Sequence, residues 1–179
     1  ISKVVNNIKL KLHCSEVTKV DAPMILIAGC GTGQHSIGTA TRFKSSSVLA
    51  VDLSKSSLAY AKRRTEELAI DNIEYMQADI LDLGQLNKKF DIVESSGVLH
   101  HMDNPIAGWK ALTNCLKPGG LMKIGLYSEH ARQHIAKFRA ELDKEIMTIT
   151  SEELRFQRRL IIESELPHHQ KIRTSSDFY

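Results

Sequence analysis

The sequence has few of the features that mark membrane, secreted or repetitive proteins. No apolar run approaches the roughly 20 residues that a membrane-spanning helix needs, and the N-terminus lacks the pattern of a signal peptide. The three cysteines, Cys14, Cys30 and Cys115, are widely spaced and odd in number, so they indicate neither a disulfide framework nor a zinc site. We therefore expect a cytoplasmic protein without a membrane partner.

Charge and composition further limit the classes of function that the protein could have. A net charge of +3 is too small to predict a nucleic-acid surface, and an apolar content of 42% is ordinary for a globular domain. The 179 residues are enough for one domain with a sizeable core. Because the chain begins at Ile1 without a methionine and stops at Tyr179 in mid-pattern, we expect a fragment of a longer protein, for example one fused to other domains.

The stretch Met24–Gly33, with the sequence MILIAGCGTG, organises the chain. Its first five residues form an apolar run that suits a central parallel strand covered on both faces. Gly29, Gly31 and Gly33 then alternate with other residues, and a helical pattern follows at once. Free N–H groups and the helix dipole would face such a turn, which predicts a nucleotide-type pocket; a plain tight turn is the alternative.

Two aspartates follow predicted strands. Asp52 ends the apolar strand Val48–Val51, about 20 residues beyond the glycine turn, where a carboxylate meets a ribose diol in doubly wound nucleotide folds. Ser54 can cap the next helix, which predicts that Asp52 is free; capping by Asp52 is the alternative. Asp79 follows the strand Ile73–Met76 and could accept the exocyclic amine of an adenine, unless it caps the next turn or short helix.

Five apolar strands alternate with helical patterns, which predicts an α/β fold with a doubly wound, mostly parallel sheet. Three segments are expected: an N-terminal helical segment (1–22, with an amphipathic helix over Ile1–Cys14), a ligand-binding domain (23–128), and a helical C-terminal segment (129–179). The fourth and fifth strands are predicted at Phe90–Val93 and Leu121–Tyr127, with a loop over Glu94–His101 and a helix stop over Lys117–Gly120.

The glycine turn reads G-x-G-x-G, because Gln34 stands where a dinucleotide fingerprint requires its third glycine. Together with ILIAGCGTG, VLAVDLS, QADI, FDIVESSGVLHHMDNP and LKPGG in this order, the chain resembles the class I S-adenosylmethionine-dependent methyltransferases, over roughly Ala22 to Ser128. It looks most like the bacterial branch that acts on diverse small molecules. The resemblance implies a Rossmann-like methyltransferase fold, S-adenosylmethionine as cofactor, and an unidentified methyl acceptor.

The resemblance also implies which residues hold the cofactor. The glycine turn would lie against the methionine part, the two aspartates would bind the ribose and the adenine amine, and two serines would line the sulfonium end. These residues are Gly29, Cys30, Gly31 and Gly33 in the turn, Asp52 and Leu53, Asp79 and Ile80, and Ser95 and Ser96.

The implied reaction is attack by a substrate nucleophile on the sulfonium methyl group, in which positioning supplies most of the acceleration. A general base is needed only when the nucleophile arrives protonated. His100 and His101 are the candidate bases, because histidine titrates near neutrality; a structural pair of loop histidines is the alternative. Val98, Leu99 and His100 stand where the family often builds the mouth of the substrate pocket.

Other functions receive less support from the sequence. The region Gly29 to Asp52 could serve a nicotinamide oxidoreductase, but the third glycine and a Tyr-x-x-x-Lys pair are lacking. A non-catalytic module that keeps the cofactor fold is a further alternative. The basic residues of the tail are interleaved with glutamates, which favours a small-molecule acceptor over nucleic acid. His130 and His134 have metal-ligand spacing but no clear third ligand, so no metal site is expected.

The family sheet ends with an antiparallel pair of strands, and the sequence shows no such pair before Tyr179. The fifth strand would then present an unpaired edge, which promotes aggregation. We therefore expect this polypeptide alone to elute from a sizing column as aggregates or higher oligomers. A clean and stable monomer peak would contradict this expectation.

Overall fold

The structure is a computed structural model that describes residues 20–128, 130–142 and 150–175. The described residues fall into two compact units, divided between Leu126 and Tyr127. The helix predicted over Ile1–Cys14 lies outside the described residues. None of the helices in these ranges combines the length and apolar character that crossing a membrane requires.

The first unit contains one five-stranded sheet in which every described pairing is parallel. The strand order is β3-β2-β1-β4-β5, so the chain winds outward from β1 in both directions. The doubly wound parallel sheet predicted from the sequence is therefore confirmed. The strands are β1 (Met24–Ala28), β2 (Ser47–Asp52), β3 (Ile73–Gln77), β4 (Phe90–Ser96) and β5 (Leu116–Gly125).

Helices connect these strands, as the alternating pattern predicts. Ser54 accepts a hydrogen bond from the N–H of Ser57 (3.2 Å) and so caps the helix after β2, as expected. Two short 3₁₀-helices span Ile80–Leu86 and Leu99–His101. The α-helices are α1 (Gln34–Arg42), α2 (Lys55–Glu67) and α3 (Pro105–Asn114) in the first unit, and α4 (Gln133–Glu141), α5 (Ser151–Glu163) and α6 (Pro167–Arg173) in the second.

The central strand β1 is buried on both faces of the sheet. Leu26 and Ala28 belong to one core cluster, and Ile25 and Ile27 belong to the cluster on the opposite face. Each of these four side chains is at most 2% exposed. Because side chains alternate across a strand, a continuous apolar run is what a sheet covered on both faces requires.

Two predicted boundaries around β4 and β5 are wrong. The helix α3 ends at Asn114, and Lys117–Gly120 lies within β5 rather than in a helix stop. The pairing shifts from Phe90 opposite Leu116 to Ile92 opposite Leu121, so an irregularity accommodates the intervening proline and glycines. β4 also continues to Ser96, although a loop was predicted from Glu94 onward. Pairing with β5 holds Glu94, Ser95 and Ser96 in extended form.

At the far edge of the sheet, β5 pairs only with β4 within the ranges that the structure describes. No antiparallel strand joins the sheet in these ranges. The expected aggregation of the isolated polypeptide stays a prediction.

Asp91 joins the beginnings of three strands. Its carboxylate accepts a hydrogen bond from the N–H of Met24 in β1 (2.9 Å). It also forms an ion pair with Nζ of Lys117 in β5 (2.9 Å). The Asp91 side chain is only 11% exposed, so these partners replace most of its water. Asp91 therefore has a structural role at the start of the sheet.

We expect Asp91→Ala to lower the free energy of unfolding by about 1–3 kcal/mol, because it leaves the N–H of Met24 without its acceptor. Urea denaturation of the variant and the parent chain measures the difference. Asp71→Ala, at an exposed residue before β3, is the matched control and should change stability by less than about 0.5 kcal/mol. Equal effects of the two substitutions would contradict the role of Asp91.

Candidate functional site

A cavity of about 410 Å³ lies at the carboxyl ends of the parallel strands. Ligands of open α/β sheets bind at this edge, and the volume is typical of small-molecule sites. Segments after β1, β2, β3 and β4 form its wall. The lining residues are Gly29, Asp52, Leu53, Ala78, Asp79, Ile80, Leu81, Val98, His101, Met102, Asp103 and Asn104.

Hydrogen bonds hold the glycine turn against the end of β2. The N–H groups of Gly29 and Cys30 both donate to the carbonyl of Val51, at 2.8 and 3.0 Å, and the N–H of Gly33 donates to Cys30 O at 3.0 Å. The N–H of Gly31 donates to the carboxylate of Asp52 at 2.8 Å. These four N–H groups are therefore not free to face a ligand, because the turn uses them to hold its own shape. Among the described residues no side chain caps the N-terminus of α1, so the expectation for its first N–H groups stays a prediction.

The turn requires glycine for conformational and steric reasons. Gly29, Gly31 and Gly33 have φ values of 78°, 53° and 88°, a region that other residues rarely adopt. A Cβ at Gly29 would lie 2.2 Å from Cγ2 of Val98, and a Cβ at Gly33 would lie 2.7 Å from Cβ of Ala61. Gly29 thus allows the segment after β4 to approach the turn, and Gly33 allows α2 to do so.

Asp52 links the glycine turn to the segment after β2. One carboxylate oxygen accepts the N–H of Gly31 at 2.8 Å, and the other accepts the N–H of Ser54 at 2.9 Å. The prediction that Ser54 rather than Asp52 caps α2 is confirmed, but the carboxylate of Asp52 already has these two backbone partners. Because an ionised carboxylate offers about four acceptor sites, each oxygen of Asp52 can still accept a further donor from the cavity.

Asp79 also has a local role. Its Oδ1 accepts the N–H of Leu81 at 2.9 Å and caps the 3₁₀-helix, which was the alternative interpretation of this residue. Asp79 and Ile80 both line the cavity. Beside them, Leu53 is 64% exposed, and its carbonyl accepts a hydrogen bond from Nε2 of Gln77 at 2.9 Å. An exposed leucine anchored in this way offers an apolar surface to a ligand.

Cys30 is part of the turn but does not line the cavity. It is 7% exposed, and burial, with a smaller contribution from the nearby Asp52 charge, raises the pKa of its thiol to about 12. A thiol with this pKa stays protonated at neutral pH and is a poor nucleophile. Cys30 is therefore a small buried residue of the turn rather than a nucleophile.

Of the two serines that end β4 and the two histidines that follow it, only one histidine lines the cavity. His101 lines it and His100 does not, although the two rings are 4.1 Å apart. Ser95 is 2% exposed, and its Oγ has no hydrogen-bond partner among the described residues. Ser96 Oγ lies against Gly125, where a Cβ would come within 2.3 Å of it. Neither serine lines the cavity.

Met102, Asp103 and Asn104 form a part of the cavity wall that was not predicted from the sequence. Asn104 also caps α3 by accepting the N–H of Ala107 at 3.0 Å. The position of these three residues after β4 could have indicated their place in the wall. The segment that follows a central parallel strand lies at the same edge of the sheet as the ends of the other strands.

A carboxylate–histidine pair between β4 and α1 was also not predicted. Oε2 of Glu94 lies 2.5 Å from Nε2 of His35 in α1, and Oγ1 of Thr39 donates to the same oxygen at 3.4 Å. Glu94 alternates with Ser95 along β4, so the pair lies on the α1 face of the sheet. It connects α1 to the central strands.

We expect Gly29→Ala to destabilise the chain by about 1–3 kcal/mol, because alanine would need a left-handed backbone and would clash with Val98. Thermal or urea unfolding measures this loss. Gly38→Ala is the matched control, since no atom lies within 4 Å of its added Cβ in α1. It should stabilise the chain by roughly 0.5–1 kcal/mol. A neutral Gly29→Ala would contradict the close packing at the turn.

Comparison with known proteins identifies similar sequences over the first unit. A family model described as "Methyltransferase domain" matches residues 25–120, more than half of the chain. An uncharacterised protein of Synechococcus sp. is 39% identical over 114 residues, which cover 63% of this chain and 27% of that protein. A ubiquinone biosynthesis O-methyltransferase of Acinetobacter baylyi is 32% identical over 112 residues, covering 62% of this chain and 46% of the enzyme. The chain thus spans less than half the length of these curated relatives.

Solved structures show the same fold. PKMT2 from Rickettsia typhi, in complex with AdoHcy, has a TM-score of 0.66 and 24% identity, covering 79% of this chain and 28% of that chain. An S-adenosylmethionine-dependent methyltransferase from Clostridium acetobutylicum has a TM-score of 0.52 and 28% identity. The match covers 61% of this chain and 44% of that chain. At 24% identity, the likeness to PKMT2 concerns the fold alone.

Proposed function

Because the chain belongs to the family of class I S-adenosylmethionine-dependent methyltransferase domains, we propose that the protein transfers a methyl group from this cofactor to a small acceptor molecule. One observation supports the proposal most directly. Asp52 and Asp79 line one cavity beside the glycine turn, at the edge of the sheet where nucleotide-type ligands bind.

The donors of the cofactor match the acceptors of this cavity. Asp52 keeps an unused acceptor site on each oxygen for the two ribose hydroxyls, and Asp79 keeps Oδ2 for the adenine amine. Leu53 and Ile80 offer apolar surface for the adenine ring. The carboxylates of Asp52, Asp79 and Asp103 favour a cationic ligand by charge. S-Adenosylmethionine carries a positive sulfonium group, which suits this arrangement.

The remaining predicted contacts are part of the proposal. The backbone of Gly29, Cys30 and Gly31 would lie against the methionine part of the cofactor, with Gly33 completing the turn. Ser95 and Ser96 would line the sulfonium end. Neither serine lines the cavity in this structure, so the cofactor would have to displace neighbouring side chains to reach them. The buried Oγ of Ser95, which has no hydrogen-bond partner among the described residues, would then gain one.

When bound, the cofactor supplies a methyl group on a good leaving group, and a single in-line displacement moves it to the acceptor. The protein then has to orient the acceptor and exclude water. His101 lines the cavity and is the proposed general base for an acceptor that arrives protonated, with His100 packed against its ring. A structural role for the two histidines remains the alternative.

We infer that the acceptor is a small molecule and that the protein acts in the cytoplasm. One relative of similar sequence is a ubiquinone biosynthesis O-methyltransferase, which fits an acceptor of this class. The free thiols of Cys30 and Cys115 are consistent with a reducing compartment. A cofactor-binding module without catalysis is the second candidate, and the intact cofactor side of the cavity supports both.

Calorimetric titration with S-adenosylhomocysteine, with NAD as the control ligand, tests the cofactor. We expect micromolar binding of S-adenosylhomocysteine alone. Asp52→Ala should weaken binding at least about tenfold, because it removes charge-assisted hydrogen bonds to the ribose and the support of Gly31. Asp82→Ala is the matched control, because this exposed aspartate does not line the cavity, and it should bind like the parent chain.

Three outcomes would contradict the proposal. Binding of NAD in place of S-adenosylhomocysteine would favour an oxidoreductase. No binding by a folded sample would remove the cofactor assignment. An Asp52→Ala variant that folds and binds normally would remove Asp52 from the site. Circular dichroism of each variant separates lost binding from lost folding.

A further inference from the structure

Three donor side chains converge in the second unit of the chain. Glu141 ends α4, and His168 and His169 lie in the first turn of α6. The carboxylate contacts Nε2 of His168 through one oxygen and lies 2.9 Å from Nε2 of His169 through the other. All three donor atoms lie within 4.8 Å of one another. Among the described residues, this is the one group of three or more such side chains that could hold a metal ion.

Packing fixes the orientation of these rings. The side chain of His169 is 8% exposed, and the ring of Phe138 meets it edge-on with centroids 5.5 Å apart. The two histidine rings are 4.4 Å apart. Nδ1 of His169 is buried and has no hydrogen-bond partner among the described residues. Nε2, which contacts Glu141 at 2.9 Å, is therefore the polar contact of this buried ring among the described residues.

We propose that Glu141, His168 and His169 bind a divalent transition-metal ion, with zinc as the best fit. Two imidazole nitrogens and one carboxylate form a donor set that zinc accepts, with a fourth position left for water. Zinc lies about 2.0–2.2 Å from such donors, so the contacts between the carboxylate and the two rings would open to admit the ion between them. The carboxylate charge offsets part of the charge of the ion.

The ion would connect two helices of the same unit. Glu141 belongs to α4 and the histidines belong to α6, so coordination would replace the hydrogen bonds that now join them. Metal binding to a folded site stabilises the fold that presents it. The site uses none of the residues assigned to the cofactor, and it stands or fails separately from the proposed methyl transfer.

The chain supplies a matched control. His130 and His134 belong to the same unit and have the spacing of a helical metal pair, but neither belongs to the converging group. Glu141→Gln keeps the size of the side chain, removes its charge and replaces one of its two acceptor oxygens by an amide donor. Because the affinity for zinc is measured directly, a loss of affinity in this variant separates metal binding from a cluster held together by hydrogen bonds alone.

The test titrates zinc into the full chain, stripped of metal and kept reduced, and measures stoichiometry and affinity by calorimetry. We expect one ion per chain. His169→Ala and Glu141→Gln should each weaken binding by at least about tenfold, the scale of losses at metal sites. His130→Ala should stay within about twofold of the parent chain. Circular dichroism confirms that each variant is folded.

Cobalt in place of zinc identifies the donors by absorption. A four- or five-coordinate spectrum without thiolate charge-transfer bands is expected, and Glu141→Gln should change it. Thiolate bands would overturn the proposal by assigning the ion to cysteine. Unchanged affinity in Glu141→Gln and His169→Ala, dependence on His130, or no binding at all would overturn it too and leave the cluster as a hydrogen-bonded contact.

Discussion

The double-sided burial of β1 is the constraint on which the first unit depends. Its side chains enter both core clusters, so β1 needs a parallel neighbour on each edge and helices on both faces. Parallel strands end at the same edge of the sheet. The glycine turn, the end of β2, the end of β3 and the segment after β4 therefore meet at one place, and the cavity forms there.

Groups that hold this edge together also face the cavity. Asp52 supports the glycine turn through Gly31 and orders the next segment through Ser54, while its carboxylate lines the pocket. Asp79 caps a 3₁₀-helix and lines the same pocket. Such local hydrogen bonds hold the acceptor groups in place before a ligand arrives, which lowers the ordering cost of binding. Structural and ligand-binding roles are therefore not exclusive at these two aspartates.

The second unit carries a separate chemistry. Its histidine–carboxylate group joins residues of α4 and α6 that are 27 and 28 positions apart in sequence. His130 and His134 have the spacing of a metal pair on one helix, but neither belongs to the converging group. The packing of two helices instead brings Glu141 to His168 and His169. A ligand set drawn from two elements has no periodic signature in the sequence, because its geometry exists only after the helices pack.

The sequence by itself determined the parallel sheet, the glycine turn and the positions of Asp52 and Asp79, because apolar runs and the conformational freedom of glycine are local properties of the chain. Only the tertiary structure decided that the N–H groups of the turn are already engaged, that Asp52 holds Gly31, and that Lys117–Gly120 belongs to β5. These features depend on which partner each backbone group meets across the sheet. That choice arises from long-range packing, which one stretch of residues does not encode alone.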